Sequence, residues 1–422
     1  MPLLDRNASF LRLWAAESAS KAGDAVSVVA IPLVAVVTIG AGPGEVALLG
    51  VAQLIPVVTL GLPAGAWVDR RPTVRGVMVA ADGLRALAVL SVPVAALFGQ
   101  LTLVHLWLAV FVNACLGTFF DVSIASYVPR LVGRAQLIAA NARLEGSRSA
   151  AQVIGPSIAA ALIAALSAPF ALVFDGVSFL ASSVLLAASG NEPRPTAAGP
   201  PTARRRDEIL AGARLALREP HLRAITATAM TNNLARSMAM VVIVIYLVRE
   251  AAISPAEVAL GFALGNTGFI AGAVVASPVS RSLGVGRAMR CAVSCFWPGM
   301  LLLAVAPAAW ALPVFTAMLF TNGFGIAVHN VNQVSVRQAV TPDDMRARVA
   351  AASRLLVFGA MPAGTLIGGV LGELVGLRPT LLVGAAGLFV GSLYYWFTPV
   401  GRLRVLPGEE PTAERRTDIV RA

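Results

Sequence analysis

The chain is 422 residues long, 57% hydrophobic and only 13% charged, with a mean hydropathy of +0.77 and a formal net charge of +11. Ordinary globular domains carry about 25% charged residues, so this composition excludes a water-soluble protein. Apolar runs of roughly 20 residues, continuous rather than alternating, select spanning helices over a β-barrel.

In chain order, spanning helices are predicted at 12–39, 45–68, 76–98, 103–129, 137–164, 168–189, 222–248, 255–281, 287–306, 310–337, 348–372 and 378–398. The first is long enough to cross and carries charges in its early turns, unlike a cleavable signal. Between helices 6 and 7 lies "NEPRPTAAGPPTARRRDE", a polar linker that leads into an amphipathic stretch, Ile209 to Leu217, expected at the membrane surface. The expected organisation is an N-terminal six-helix bundle over 1–190, a cytoplasmic linker over 191–221, a C-terminal six-helix bundle over 222–400 and a cytoplasmic tail over 401–422. Cys115, Cys291 and Cys295 all fall in apolar runs and read as small core residues.

The basic residues are not spread evenly. Connections after even-numbered helices hold Arg70, Arg71, Arg75, Arg130, Arg134, the arginines of the linker, Arg281, Arg287, Arg346 and Arg348, whereas the odd connections hold Arg249 and Arg378. Basic loops stay cytoplasmic. Both termini and the linker are therefore expected in the cytoplasm, with the chain in the plasma (bacterial inner) membrane. The positive charge is thus a topology signal, and no nucleic-acid partner is expected.

The two halves repeat. A shift of 209 residues lays Asn113 on Asn322, Val122 on Val331, Ser126 on Ser335 and Gly155 on Gly364; a shift of 211 lays "VDRRPTVR" at Val68 over "VSRSLGVG" at Val279. Duplicated six-helix units are the building blocks of two-half transporters, with the substrate near the midplane.

Several motifs carry a family resemblance. "GAWVDRRPTVR", with Gly65, Asp69, Arg70 and Arg75, resembles the helix 2–3 loop signature of the major facilitator superfamily, with Pro72 where the family usually has Gly; "ADGLRA", with Asp82 and Arg85, follows in helix 3. "VIGPSIAA" resembles the helix 5 signature of the superfamily's antiporters, with Ala159 and Ala160 replacing glycines, and "TPDDMRARV" and "FDGVSFL" resemble the branch of macrolide, tetracycline and enterobactin exporters. The resemblance implies an all-α integral membrane fold of twelve helices in two pseudo-symmetric bundles, with helices 1, 4, 7 and 10 lining the cavity. It makes Gly65, Asp69, Arg70, Arg75, Asp82 and Arg85 a cytoplasmic gate. Independently of the family, Asp69 at the end of helix 2 has the chemistry of a latch for helix N-termini or arginines. Gly155–Pro156 breaks the hydrogen-bond ladder and is expected to kink helix 5.

Charges at membrane depth cost about 2.5–3.5 kcal/mol each on insertion scales, so they mark candidate sites. Glu17, Lys21 and Asp24 stack on one face of helix 1, either as a self-neutralising ladder or with Asp24 as a proton-binding carboxylate. Glu145 and Asp121 are further proton-coupling candidates. Asn113, Arg148, Asn232, Asn233, Arg236, Asn322 and Asn330 are the candidates for a substrate cavity. Arg236, deep in helix 7, requires a partner, for which Asp121 and Arg148 are considered. Asp82 and Asp175 belong to peripheral helices by analogy and read as structural; His329 reads as an interfacial histidine more than a proton relay.

No phosphate loop is present, since the one lysine, Lys21, follows no glycine-rich turn. Energy must come from a gradient, and one charge moved through ~150 mV yields about 3.5 kcal/mol. The function expected is proton-coupled efflux of small hydrophobic or cationic molecules, such as an antibiotic, siderophore or secondary metabolite. A lipid or lysophospholipid translocator and a transport-inactive sensor are the alternatives. An enzyme is not expected: His105, His221 and His329 are isolated, and Asp343–Asp344 falls in a loop. No metal and no cofactor is expected. The partners expected are a small-molecule substrate, protons and membrane lipids, and the chain is expected to be a monomer.

Overall fold

The structure is a computed structural model. It describes residues 7–71, 73–132, 136–190, 205–342 and 345–403, except the side chains of Leu62, Asp69, Ile138, residues 205–209 and Ala347. Much of the linker (191–204), the tail beyond Leu403, Pro72, Arg134, Asp343–Asp344 and the Asp69 side chain thus lie outside the described residues.

Among the described residues, twelve helices are long and apolar enough to cross a membrane. They are α1 (Ala8–Leu33, continued by a π-helical turn Val34–Ile39), α2 (Pro43–Asp69), α3 (Arg75–Leu97), α4 (Leu103–Leu131), α5 (Leu137–Ala165), α6 (Ala168–Ala187), α7 (Pro220–Ile245, continued by a π-helical turn Tyr246–Glu250), α8 (Pro255–Leu283), α9 (Val285–Ser294 and Phe296–Val305), α10 (Ala311–Val340), α11 (Arg346–Leu374) and α12 (Leu377–Trp396). All twelve fall on the predicted spans. The one break, at Cys295 in α9, has a local cause: Pro298 has no N–H for the Ser294 carbonyl, and its ring crowds that carbonyl. Polar side chains at the wet ends cap several helices. Asn7 accepts from the Phe10 amide at 3.0 Å, Thr102 from His105 at 3.3 Å, and Ser254 forms a capping box with Glu257.

Helices α1, α3, α4, α5 and α6 with α2 form one bundle, and α7 to α12 the other; α2 meets α11 and α5 meets α8 across the interface. This is the major facilitator arrangement. The repeat register seen in the sequence is realised in space. A Cβ on Gly155 of α5 would meet Ala25 of α1, and a Cβ on Gly364 of α11 would meet the backbone of Leu234 of α7. Each of these four residues maps onto its counterpart by the 209-residue shift. Small residues let helices approach this closely in lipid, where no hydrophobic force drives them together. The helix α5 runs without interruption through Gly155–Pro156, and the role visible for Gly155 is this close approach.

The described contacts between the halves gather on one face. On the face opposite the termini and linker, Gly44 donates to Glu373 at 3.0 Å, Arg249 donates to the Ala41 carbonyl at 2.7 Å, and the largest apolar core runs from Val26–Val36 of α1 into Val241–Leu247 of α7. On the linker face each half keeps its own core. Phe10, Val68, Met78 and Tyr127 pack within the N-terminal half, and Ala276, Ala288 and Val328 within the other; no apolar cluster of described residues bridges them there. The linker helix, Arg205–Arg218, docks on the C-terminal half through Ala216, packed with Leu222 and Val349, and through Gly212 against the Arg348 backbone.

The small-residue contact can be tested directly. Gly364→Leu forces a side chain into the α7 backbone and is expected to cost about 1–3 kcal/mol, read as a lower melting temperature of the detergent-solubilised protein. Gly146→Ala, at a position with nothing within 4 Å, should not lower it.

Candidate functional site

The buried charges of the N-terminal half gather into one cluster. Its centre is Arg85 of α3, only 3% exposed. Its guanidinium donates to Asp24 of α1 at 2.6 Å, to Asp82 at 3.0 Å, to Asn113 of α4 at 2.9 Å and to Ser20 at 3.3 Å, while its flat face lies 3.9 Å from the Phe179 ring centre. Lys21 bridges Asp24 at 3.2 Å and Asp121 of α4 at 3.1 Å. One turn away, Glu17, 1% exposed, accepts from Arg148 of α5 at 2.5 and 2.6 Å through a single oxygen. Asp175 of α6 is fully buried and takes a hydrogen bond from Ser27 of α1. The cluster thus sets five carboxylates (Glu17, Asp24, Asp82, Asp121, Asp175) against three cations (Lys21, Arg85, Arg148).

Several expectations change. The ladder on helix 1 is not self-contained: Lys21 does pair with Asp24, but Glu17 turns to Arg148. Asp82 and Arg85 lie away from the loop of the gate motif: seven and ten residues into α3, both are buried, with Arg85 paired to Asp24 and Asp82. Asp175, read as peripheral, sits within the cluster, because α6 packs directly on α1 and α3. Its signal was legible in part, as an acidic residue in mid-span, but only the packing reveals Ser27 as its partner. Glu145 stands at the edge of the cluster: its side chain is 72% exposed and lies 3.9 Å from Arg148. Of the loop motif, Arg70 is exposed, Arg71 stacks on Trp67 at 4.0 Å, Gly65 faces Val122, and Arg75 donates to the Gly190 carbonyl at 2.9 Å and to that of Ser189, tying α3 to the end of α6.

The C-terminal half carries a cavity of about 480 Å³ instead. Asn232, Asn233 and Arg236 of α7, Asn322, His329, Asn330 and Gln333 of α10, and apolar side chains including Phe296, Phe358 and Leu388 line it. The expected substrate set therefore splits, with Asn113 and Arg148 in the ion cluster and Asn232, Asn233, Arg236, Asn322 and Asn330 in the cavity. The expected partner of Arg236 is also corrected. Asp121 is engaged by Lys21 and Arg148 by Glu17, and among the described residues no carboxylate pairs with Arg236. His329 stands in the cavity wall, edge-on to Tyr395 at 5.7 Å, not at an interface.

The two sites are images of each other under the internal repeat. The 209-residue shift carries Asp24 to Asn233, Asn113 to Asn322, Asp121 to Asn330, Arg148 to Val357 and Phe179 to Leu388, and the 211-residue shift carries Arg85 to Phe296. Every one of these destinations lines the cavity. The duplicated position is thus filled by charge pairs in one half and emptied of acids in the other. The same shift of 209 carries Ser27 to Arg236, which places one cation in a wall whose other described polar groups are amides and an imidazole.

The Glu17–Arg148 pair offers a clean energetic test. Arg148→Ala strands a buried carboxylate and is expected to destabilise the protein by about 3 kcal/mol, the low end for buried pairs because Arg148 is partly exposed. The double variant Glu17→Gln/Arg148→Ala should recover most of that loss in the same thermal-unfolding measurement.

Comparison with known proteins fits this architecture. The sequence profile of the transmembrane secretion effector family matches residues 2–410. The multidrug efflux pump Tap of Mycolicibacterium fortuitum is 27% identical over 412 residues, covering 92% of this chain and 97% of that protein. Among solved structures, a point mutant of the nucleoside transporter NupG superposes with a TM-score of 0.76 at 10% identity, covering 92% of this chain and 98% of that one. A bacterial homologue of the iron transporter ferroportin in its inward-facing state gives 0.71 at 18% identity, with 92% and 97% covered. A twelve-helix, two-bundle membrane protein with this match along nearly its whole length belongs to the transmembrane secretion effector family of the major facilitator superfamily, and it is a transporter of that type.

Proposed function

We propose that this transporter exports small amphiphilic molecules, such as an antibiotic or secondary metabolite, in exchange for protons by alternating access. The observation that carries the reading is the division of labour between the halves: a carboxylate-rich ion cluster on α1, α3, α4 and α6 beside an open, acid-free cavity on α7, α10 and α11. Similarity to the efflux pump Tap supports the export direction. Five carboxylates against three cations leave seats for protons within the cluster. Asp24 is the pivotal one, because it alone is shared by Arg85 and Lys21. Asp121, half exposed and bound to Lys21, is the route by which a proton reaches it.

The exchange follows from competition for the same cations. A proton on Asp24 removes its charge and releases Arg85 and Lys21 to their other carboxylates, Asp82 and Asp121. That changes the attachment of α1 to α3 and α4, and α1 also carries the apolar seal between the halves. The linker face, rich in arginine, is assigned to the cytoplasm. The structure, sealed on the other face, is then an inward-facing state, ready to load cargo from inside the cell or from the inner leaflet. No cofactor is needed; the proton gradient is the energy source.

Asp24→Asn is the decisive variant. In an efflux-deficient host, the wild type is expected to lower accumulation of a panel of antibiotics and dyes, and a protonophore should abolish the difference. The Asn variant, matched for expression and melting temperature, should lose the protonophore-sensitive component. Unchanged accumulation of every compound with the wild type would exclude drug export; normal export by the Asn variant would exclude Asp24 as the coupling site.

A further inference from the structure

The cavity of the C-terminal half contains groups that its own residues do not satisfy. Asn232, Asn322 and His329 are each more than nine-tenths buried, and Asn232 Oδ1, Asn322 Oδ1 and His329 Nδ1 have no hydrogen-bond partner among the described residues. All three side chains line the cavity. These three atoms are themselves closed off from the open space, Asn232 Oδ1 lying against Gly391 of α12, so the polar group of the wall that a ligand can meet is a different one. Beside them stands Arg236, sixteen residues into α7 and therefore about 24 Å along the helix. A guanidinium at this depth is expensive to leave unpaired. In the N-terminal half every cation of the cluster is held by carboxylates; here the equivalents of Asp24 and Asp121 are Asn233 and Asn330.

The neighbours of Arg236 do not neutralise it. The side-chain NH₂ of Asn233 is turned to the Val357 carbonyl at 3.1 Å, and Asn330 accepts from Gln333 at 2.9 Å. The described lining holds amides, one imidazole, one guanidinium and apolar side chains, with no acid. Such a wall repels a cationic group and attracts an oxyanion, which a guanidinium can grip with two parallel donors.

We infer that the cargo of this transporter is recognised through an anionic group, a carboxylate or phosphate-type oxyanion seated on Arg236, with an apolar body against Phe296, Phe358 and Leu388. The inference rests on the export reading for the word cargo, and it turns the substrate class from cationic toward acidic amphiphiles. The source of the oxyanion is either a soluble acid or an anionic lipid headgroup, which share this chemistry.

The test uses the full chain in phosphatidylcholine nanodiscs and two fluorescent probes, 11-(dansylamino)undecanoate and its primary amide. The wild type should bind the acid about 10–100-fold more tightly than the amide, the range for a hydrogen-bonded charge against a neutral group. Arg236→Gln should bind both alike, and Arg236→Lys should keep part of the preference. The wild-type comparison needs no variant to fold. Equal affinity for acid and amide, retained preference in Arg236→Gln, or binding of neither probe would overturn the inference. Nanodiscs containing phosphatidylglycerol separate the two sources. Displacement of the acid by that lipid supports a headgroup seat, and undiminished binding supports a soluble acid. Because binding is read without transport, acid-selective binding in a chain that exports nothing would sink the export reading alone, and proton-dependent export without acid preference would sink this inference alone.

Discussion

Arg85 is the constraint on which the N-terminal half is organised. A guanidinium in the membrane interior has five donors and a charge that lipid cannot solvate. It is supplied from four helices: Asp24 and Ser20 of α1, Asp82 of its own α3, Asn113 of α4 and the ring of Phe179 on α6. No two of these helices can shift far without breaking one of these contacts. The ion cluster therefore does for this bundle what a hydrophobic core does for a soluble domain, where apolar contact alone would not distinguish neighbour from lipid.

Duplication has given the protein two copies of one scaffold and let their interiors diverge. The contacts that hold helices close are retained in both copies: Gly155 on Ala25 in one, Gly364 on Leu234 in the other. Even the π-helical turns recur, at the ends of α1 and α7. What changed is the chemistry at the centre. Acids in one half stand where the other has amides, Arg85 stands where the other has Phe296, and the C-terminal half holds an open cavity at this position. A closed set of ion pairs has little to offer a ligand, because each donor is already taken. A cavity beside a guanidinium that no described carboxylate pairs has much more.

The spans, their number and the repeat register were legible in the sequence because lipid imposes a length and a polarity on every crossing helix. The gate loop was legible as a motif, but its members separate in space. Arg75 binds the end of α6, whereas Asp82 and Arg85, a few residues further along, are already deep in the bundle. Pairings were not legible. Glu17, Lys21 and Asp24 share a helix face at spacings of four and three, which predicts mutual contact equally well; only the neighbouring helices show that Glu17 finds Arg148 and Asp24 finds Arg85. Arg236 was misjudged for the same reason. The rule that a buried charge has a protein partner finds none among the described carboxylates.

The site and the seal in each half share one helix. In the C-terminal half α7 carries Asn232, Asn233 and Arg236 in the cavity and, thirteen residues on, Arg249, which grips the Ala41 carbonyl across the interface. That is about 20 Å along one helix axis. In the N-terminal half α1 carries Glu17, Lys21 and Asp24 in the cluster and, within the next few turns, the apolar face from Val26 to Val36 that forms the shared core. The π-helical turns lie beyond the charged segment, toward the far-face contact, in both. Each site thus lies on the same helix as a contact that joins the halves. The proposed occupation of the cavity and the proposed proton movement in the cluster would bear on the same contact from opposite sides of the interface, without any need for the two sites to touch.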